Sequence, residues 1–204
     1  MKYLLPLMLL LACSAGEPSP GDATAAKRTR NSPGPEHPTV GAKTRQYEAE
    51  GIGIVIPDGG SCKSRKDTVP TDLTGGDPIG GALQALPGES YEMVSCRDAS
   101  DNVMYDAIKV TGSVSDISKR IASDLAAQGE YEPSGEPKRK PATLSGRPAT
   151  EEVQSLVFVG NDLQRYLRAF VSGDGFYVAS VIGPGVKAGD ADRWLDAVKF
   201  DDLK

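Results

Sequence analysis

Histidine is almost absent from this chain: there is one in 204 residues, His37, set between Pro35 and Pro38 with no catalytic partner beside it. Without histidine, the Ser/His/Asp and Cys/His arrangements that activate a nucleophile are closed. Cysteine is nearly as scarce: of three, only Cys62 and Cys96 lie beyond Gln46, where there is no histidine, so a zinc-ligand search of that part fails for want of histidine and further cysteine. Positive charge is also in deficit. The formal net charge is −5, and from Tyr47 onward 17 Lys and Arg face 25 Asp and Glu. An acidic body excludes DNA or RNA as the partner, because phosphate binding needs concentrated positive charge. Long hydrophobic runs are missing too. The run Tyr3–Leu11 is too short to span a bilayer.

That short run nevertheless has a use. Lys2 precedes it as a minimal positive flank, and it ends in Leu10-Leu11-Ala12-Cys13. This resembles the lipobox of bacterial lipoproteins, where a small residue precedes the cysteine that becomes the new N-terminus. The resemblance implies a signal peptide over residues 1–12 and acylation of Cys13, whose two or three chains would anchor the protein stably where one would not. The competing reading, a secretory signal cut near Ala15, leaves Cys13 a free thiol without a role. Ser14 at the next position implies sorting to the periplasmic face of an outer membrane, where the cell has one. Residues 13–46 follow as a tether. They carry Pro18, Pro20, Pro33, Pro35 and Pro38 and only Val40 among large aliphatics, so they cannot bury enough apolar surface to offset the entropy of ordering. Lys27, Arg28 and Arg30 could rest near anionic headgroups, although a solubilising spacer needs no such contact.

Residues 47–204 read as one domain. Thr150 to Ile182 holds three runs of alternating apolar residues, cut at Gly160-Asn161-Asp162 and Gly173-Asp174-Gly175, which predict an antiparallel meander. Its apolar positions fall on both faces, so both should be covered. Ile52–Ile56, Ala82–Leu86, Tyr91–Arg97, Val103–Val110 and Lys138–Leu144 are further strands, and the polar Lys63–Val69 suits a sheet edge. Ile117, Ile121, Ala122, Leu125 and Ala126 recur at helical spacing and predict a mid-chain helix; Ala191, Trp194, Leu195 and Val198 predict a short C-terminal one. The expected class is α+β: an antiparallel sheet of about six to eight strands packed with these two helices.

The order of these elements carries a further resemblance. The isoleucine strand stopping at Pro57, the Tyr91 strand, the helix, the Leu144-x-Gly146-x-Pro148 turn, the meander and the closing helix with Trp194 and Phe200 look like the PsbP-like superfamily. That superfamily includes photosystem extrinsic proteins, a Ran-binding import factor and bacterial lipoproteins. The resemblance spans roughly Tyr47 to Phe200. It implies a non-enzymatic binding or assembly protein of the cell envelope, with another envelope protein as its partner. The alternative is a carrier of a small apolar ligand held between sheet and helix.

The remaining motifs point to no cofactor and no metal. Cys62 and Cys96 are the two thiols left once Cys13 is acylated, and an isolated pair in an oxidising compartment implies a disulfide; two buried free cysteines are the alternative. Asp98, Ser100 and Asn102 have the spacing of a calcium loop, yet Val103 stands where it needs glycine and Lys109 where it needs glutamate. Gly183-Pro184-Gly185-Val186-Lys187-Ala188 fits a dinucleotide fingerprint in form only. About 16 residues remain after it, too few for the second strand that motif requires. Glu151 and Glu152, as neighbours on a strand, point to opposite faces and cannot share a substrate. Lys138-Arg139-Lys140 is the strongest positive feature of the domain and reads as a charged edge strand or a contact for an acidic partner.

Overall fold

The structure is a computed structural model that describes residues 43–80, 83–112, 120 and 131–203. These fall in the second of two compact units, Pro35–Lys204. Cys13, His37 and most of the tether lie outside the described residues, and so does the mid-chain helix read from Ile117 to Ala126.

The central sheet has eight antiparallel strands. Its edge is β3 (Ser61–Thr68), followed in space by β6 (Ser90–Arg97), β7 (Met104–Thr111), β12 (Gly175–Gly183), β11 (Asn161–Ser172) and β10 (Arg147–Phe158). The outer edge of β10 is shared between β8 (Glu132–Pro133) and β9 (Lys138–Leu144). A second sheet joins β1 (Thr44–Ala49), β2 (Ile52–Pro57) and β13 (Lys199–Phe200). A third is the hairpin of β4 (Asp77–Gly80) and β5 (Leu83–Ala85). One α-helix is described, α1 (Ala188–Ala197), and a short 3-10 turn closes the chain at Asp201–Leu203.

The meander explains the layers. All nine residues of β12 are buried, so alternate side chains feed two cores. On one face Val94, Cys96, Tyr105, Phe170, Tyr177 and Val181 meet Ile52, Ile54 and Ile56 of β2 and Ala191, Trp194 and Leu195 of α1. Trp194 packs edge-to-face on Tyr105, with ring centroids 5.3 Å apart. On the other face Tyr91, Ile108, Val110, Leu167, Phe176 and Val178 meet Val69, Ile79, Leu83 and Ala85 around the β4–β5 hairpin. Arg120, the one described residue between 113 and 130, forms a buried ion pair with Glu89 at 2.9 Å.

The expected α+β class is therefore corrected. Strand makes up 61% of the described residues against 10% helix, a sheet-dominated fold with one described helix rather than a sheet packed with two. The physical reason is that much of what covers the sheet is itself sheet: β2 with its neighbours on one face, the β4–β5 hairpin on the other. Strand structure also includes Thr44, Arg45 and Gln46, inside the stretch read as tether, which pair with Pro57, Ile56 and Val55. The first meander turn is Val159-Gly160, with Asn161 already in β11 and paired to Phe158.

Cys62 and Cys96 face each other across β3 and β6 and are joined by a disulfide. Cys96 of β6 is fully buried while β3 is largely exposed, so the bond pins a polar edge strand to the core. Closing a loop across 34 residues of separation should be worth about 3–4 kcal/mol in the chain-entropy account. Urea unfolding of the Cys62→Ser/Cys96→Ser chain should show a loss of that size, and reductant should reproduce it in the native chain.

Candidate binding cleft

Three connections converge at one end of the central sheet. The first, between β6 and β7, is held by its own aspartate. Asp98 Oδ1 accepts hydrogen bonds from the backbone N–H of Asn102 at 2.8 Å and of Val103 at 3.0 Å, and Ser100 Oγ donates to Asp98 Oδ2 at 2.5 Å. The oxygen-rich stretch read as an incomplete calcium loop is thus a self-bonded turn. It sets Asn102 and the exposed Arg97–Asp101 ion pair, 3.4 Å apart, on a rim. The second connection leaves β12 at Gly183. A Cβ there would lie 2.9 Å from Val103 Cγ2 and 3.0 Å from Asn102 O, so glycine lets the two loops touch. That close approach accounts for the first glycine of the apparent dinucleotide fingerprint. The third connection is the Val159-Gly160 turn.

Between them lies an open cleft of about 460 Å³. Its floor is Met104, Leu163 and Ile182, which strand alternation places on the face of Ile108, Leu167 and Val178. Tyr131 and Phe158 form one wall, their rings stacked at 5.0 Å and 29°. Gly183 and Pro184 form another, and Arg97, Asp101, Asn102 and Asn161 supply the polar rim. An apolar floor, a flat aromatic wall and a rim of two amides and one ion pair suit an apolar side chain with backbone groups on either side of it. The rim groups orient and hydrogen-bond. Among them is no nucleophile with a base at hand.

The other concentration of chemistry is structural. Glu151 and Glu152 do point to opposite faces of β10. Glu151 accepts from Arg168 Nε at 2.8 Å and pairs with Lys140 at 2.9 Å, whereas Glu152 pairs with Arg165 at 2.7 Å and Arg139 at 2.8 Å. Two members of the basic group Lys138-Arg139-Lys140 are therefore spent inside the domain. Arg168 also reaches Asp192 and Asp196 of α1, each at 2.5 Å, and donates to Thr143 O at 3.2 Å. It ties α1, β9, β10 and β11 together. Burial by itself would raise the Glu151 carboxyl, but hydrogen bonds and charge from Lys140 and Arg168 outweigh it and hold the group below 4.5. Burial lowers Arg165, which has Glu152 as its one carboxylate partner among the described residues.

Sequence reasoning did not find the cleft. Its floor residues are ordinary apolar strand positions. The one local signal was Phe158 next to Val159, two large apolar residues at a hairpin tip where polar ones are usual.

No family model matches the chain, and no curated protein does. Among solved structures, the T6SS immunity protein TplEi of Pseudomonas aeruginosa, in complex with an "L" peptide, aligns over 78% of this chain and 98% of its own, with 9% identity and a TM-score of 0.48. A second Pseudomonas aeruginosa protein, PA94, aligns over 72% of this chain and 85% of its own, with 16% identity and a TM-score of 0.29. At such identity and overlap, neither likeness bears on what the cleft holds.

Arg168→Ala leaves Glu151 with only the half-exposed Lys140 and removes the shared partner of Asp192 and Asp196, so it should cost about 3 kcal/mol at pH 7, the low end for breaking a buried pair. The Glu151 contribution is complete above the ordinary carboxylate value and disappears as pH falls through the lowered folded one. The penalty for Arg168→Ala, measured by urea unfolding, should therefore shrink steadily below pH 4.5.

Proposed function

We propose that this chain is a non-enzymatic binding protein of the cell envelope, anchored through acylated Cys13, that holds a segment of another envelope protein in the cleft beside Phe158. The observation that carries the reading is the cleft itself: about 460 Å³, open, apolar below and amide-lined above. A protein segment supplies both the apolar side chain and the backbone hydrogen-bonding groups such a surface matches. The Cys13 motif and the proline-rich residues after it support the location, and the resemblance in element order to PsbP-like proteins supports binding over catalysis. At α1, the one helix described, the carrier reading has less behind it. Between α1 and the sheet the free space is about 20 Å³, against the several hundred that a ligand site occupies.

Two measurements test the proposal. Intact-mass analysis of the mature protein should show acyl chains on Cys13, and Cys13→Ala should shift the protein out of the membrane fraction. An unmodified, freely soluble native protein would remove the anchor. For the cleft, a photoreactive residue at position 102 should capture a specific envelope protein in membranes of the source organism. Phe158→Ala, which deletes the wall without touching either core, should lower that capture about tenfold, the scale of an aromatic hot spot. Unchanged capture would place the partner elsewhere.

A further inference from the structure

The apolar surface of the cleft continues onto the turn at its open side, where Val159 is 82% exposed and held at φ +48°, a region that crowds a branched side chain. Exposure of that kind does not choose an occupant; the place where the chain enters β1 does. Lys43 O accepts a hydrogen bond from Asp58 N–H at 2.8 Å, Thr44 pairs with Pro57, and Arg45 Nη2 donates to Gly60 O at 2.6 Å. The turn that receives these residues lies against the β6–β7 connection. A Cβ on Gly60 would stand 2.5 Å from Arg97 O, and one on Gly59 would meet Ala99 Cβ at 3.4 Å. Arg97, Asp101 and Asn102 of that connection line the cleft. Lys43 and Thr44 are thus at the end of the sheet where the cleft opens, one turn away from its rim.

The sequence immediately before Lys43 is Pro35-Glu36-His37-Pro38-Thr39-Val40-Gly41-Ala42. Two of its features match the cleft. Proline fixes φ near −65°, so such a segment is preset toward the extended polyproline form and loses little entropy on docking against aromatic rings. Stacked Tyr131 and Phe158, with Pro184 near them, offer that surface. Proline also carries no N–H, which leaves carbonyl acceptors in excess, and the side-chain amides of Asn102 and Asn161 on the rim can donate to them. We propose that residues 35–40 of the same chain occupy the cleft, with Pro35 and Pro38 on the Tyr131–Phe158 wall, and that a partner segment enters by displacing them. The reach is sufficient. β1 packs on the face of the central sheet opposite the cleft floor, so the path must round the rim. Eight residues span roughly 25 Å at about 3.1 Å each, against roughly 10 Å between packed sheets. A segment tethered this closely acts at an effective concentration on the order of millimolar, so a contact too weak to persist between separate molecules still fills the site. The proposal rests on the cleft being the protein-binding surface proposed above, and not on the anchor.

The test uses the purified chain, natural-isotope and ¹⁵N-labelled in equal parts, with a diazirine analogue of methionine in place of Met104 on the cleft floor. A diazirine inserts only into atoms touching it, so a segment that merely passes the rim is not captured. Cross-linked peptides of a single isotope should join position 104 to residues 35–40. Pro35→Ser/Pro38→Ser should lower their yield about tenfold, and so should Phe158→Ala. The double serine variant should keep its melting temperature and release more envelope-protein capture from position 102. Absence of peptides joining 104 to 35–40 overturns the proposal, as does a yield that the serines leave unaltered. Mixed-isotope peptides would assign the segment to a second copy and overturn it equally. Envelope-protein capture from position 102 with no tether residue captured from 104 sinks this inference and leaves the proposed function standing. Single-isotope peptides with no envelope protein captured by the double serine variant do the reverse.

Discussion

A strand with every residue buried must find apolar neighbours on both sides, and β12 imposes that requirement on the rest of the chain. Its alternating side chains send Tyr177, Ala179 and Val181 one way and Phe176 and Val178 the other. Each large side chain withdrawn from water contributes about 1.5–3 kcal/mol, so neither face can be left wet without losing the fold. The three isoleucines of β2 with α1 cover one face, and the β4–β5 hairpin meets the other. The disulfide then fixes β3, a strand too polar to be held by burial alone.

Charge sets the register within this arrangement. Glu151, Glu152, Arg165 and Arg168 are buried in the meander, where ions are costly unless paired. A one-residue slip of β10 against β11 would send each glutamate to the opposite face, away from its arginine. Arg168 extends the same constraint to α1, whose Asp192 and Asp196 must lie over the sheet for the guanidinium to be satisfied. Hydrophobic burial holds the layers together, and these ion pairs define how they are aligned.

The cleft lies at one end of the central sheet, framed by its loops. Asp98 holds one of them, Gly183 admits it against the next, and the Val159-Gly160 turn stands at the open side. An aromatic wall and a strained apolar tip on the same edge serve no core. Together they leave apolar surface facing solvent at this end of the molecule.

Local pattern was enough for the meander, the β2 isoleucine strand and the docking of Trp194, because alternation and turn residues act over a few neighbouring positions; the Cys62–Cys96 pairing was legible because the domain holds two cysteines. Local pattern was not enough for β1, β4, β8 or β13, whose residues carry little strand signal and are extended because a partner strand supplies their hydrogen bonds. Those strands shifted the class from α+β to sheet-dominated. The cleft was equally hidden. Met104, Tyr131, Phe158, Leu163 and Ile182 are scattered along nearly eighty residues and look like any core positions until strand pairing brings them together. Sequence alone determined which residues want to leave water and where the chain turns. Only the tertiary structure decided which of them are buried, and which are left facing a space that another chain can fill, since that depends on which strands become neighbours.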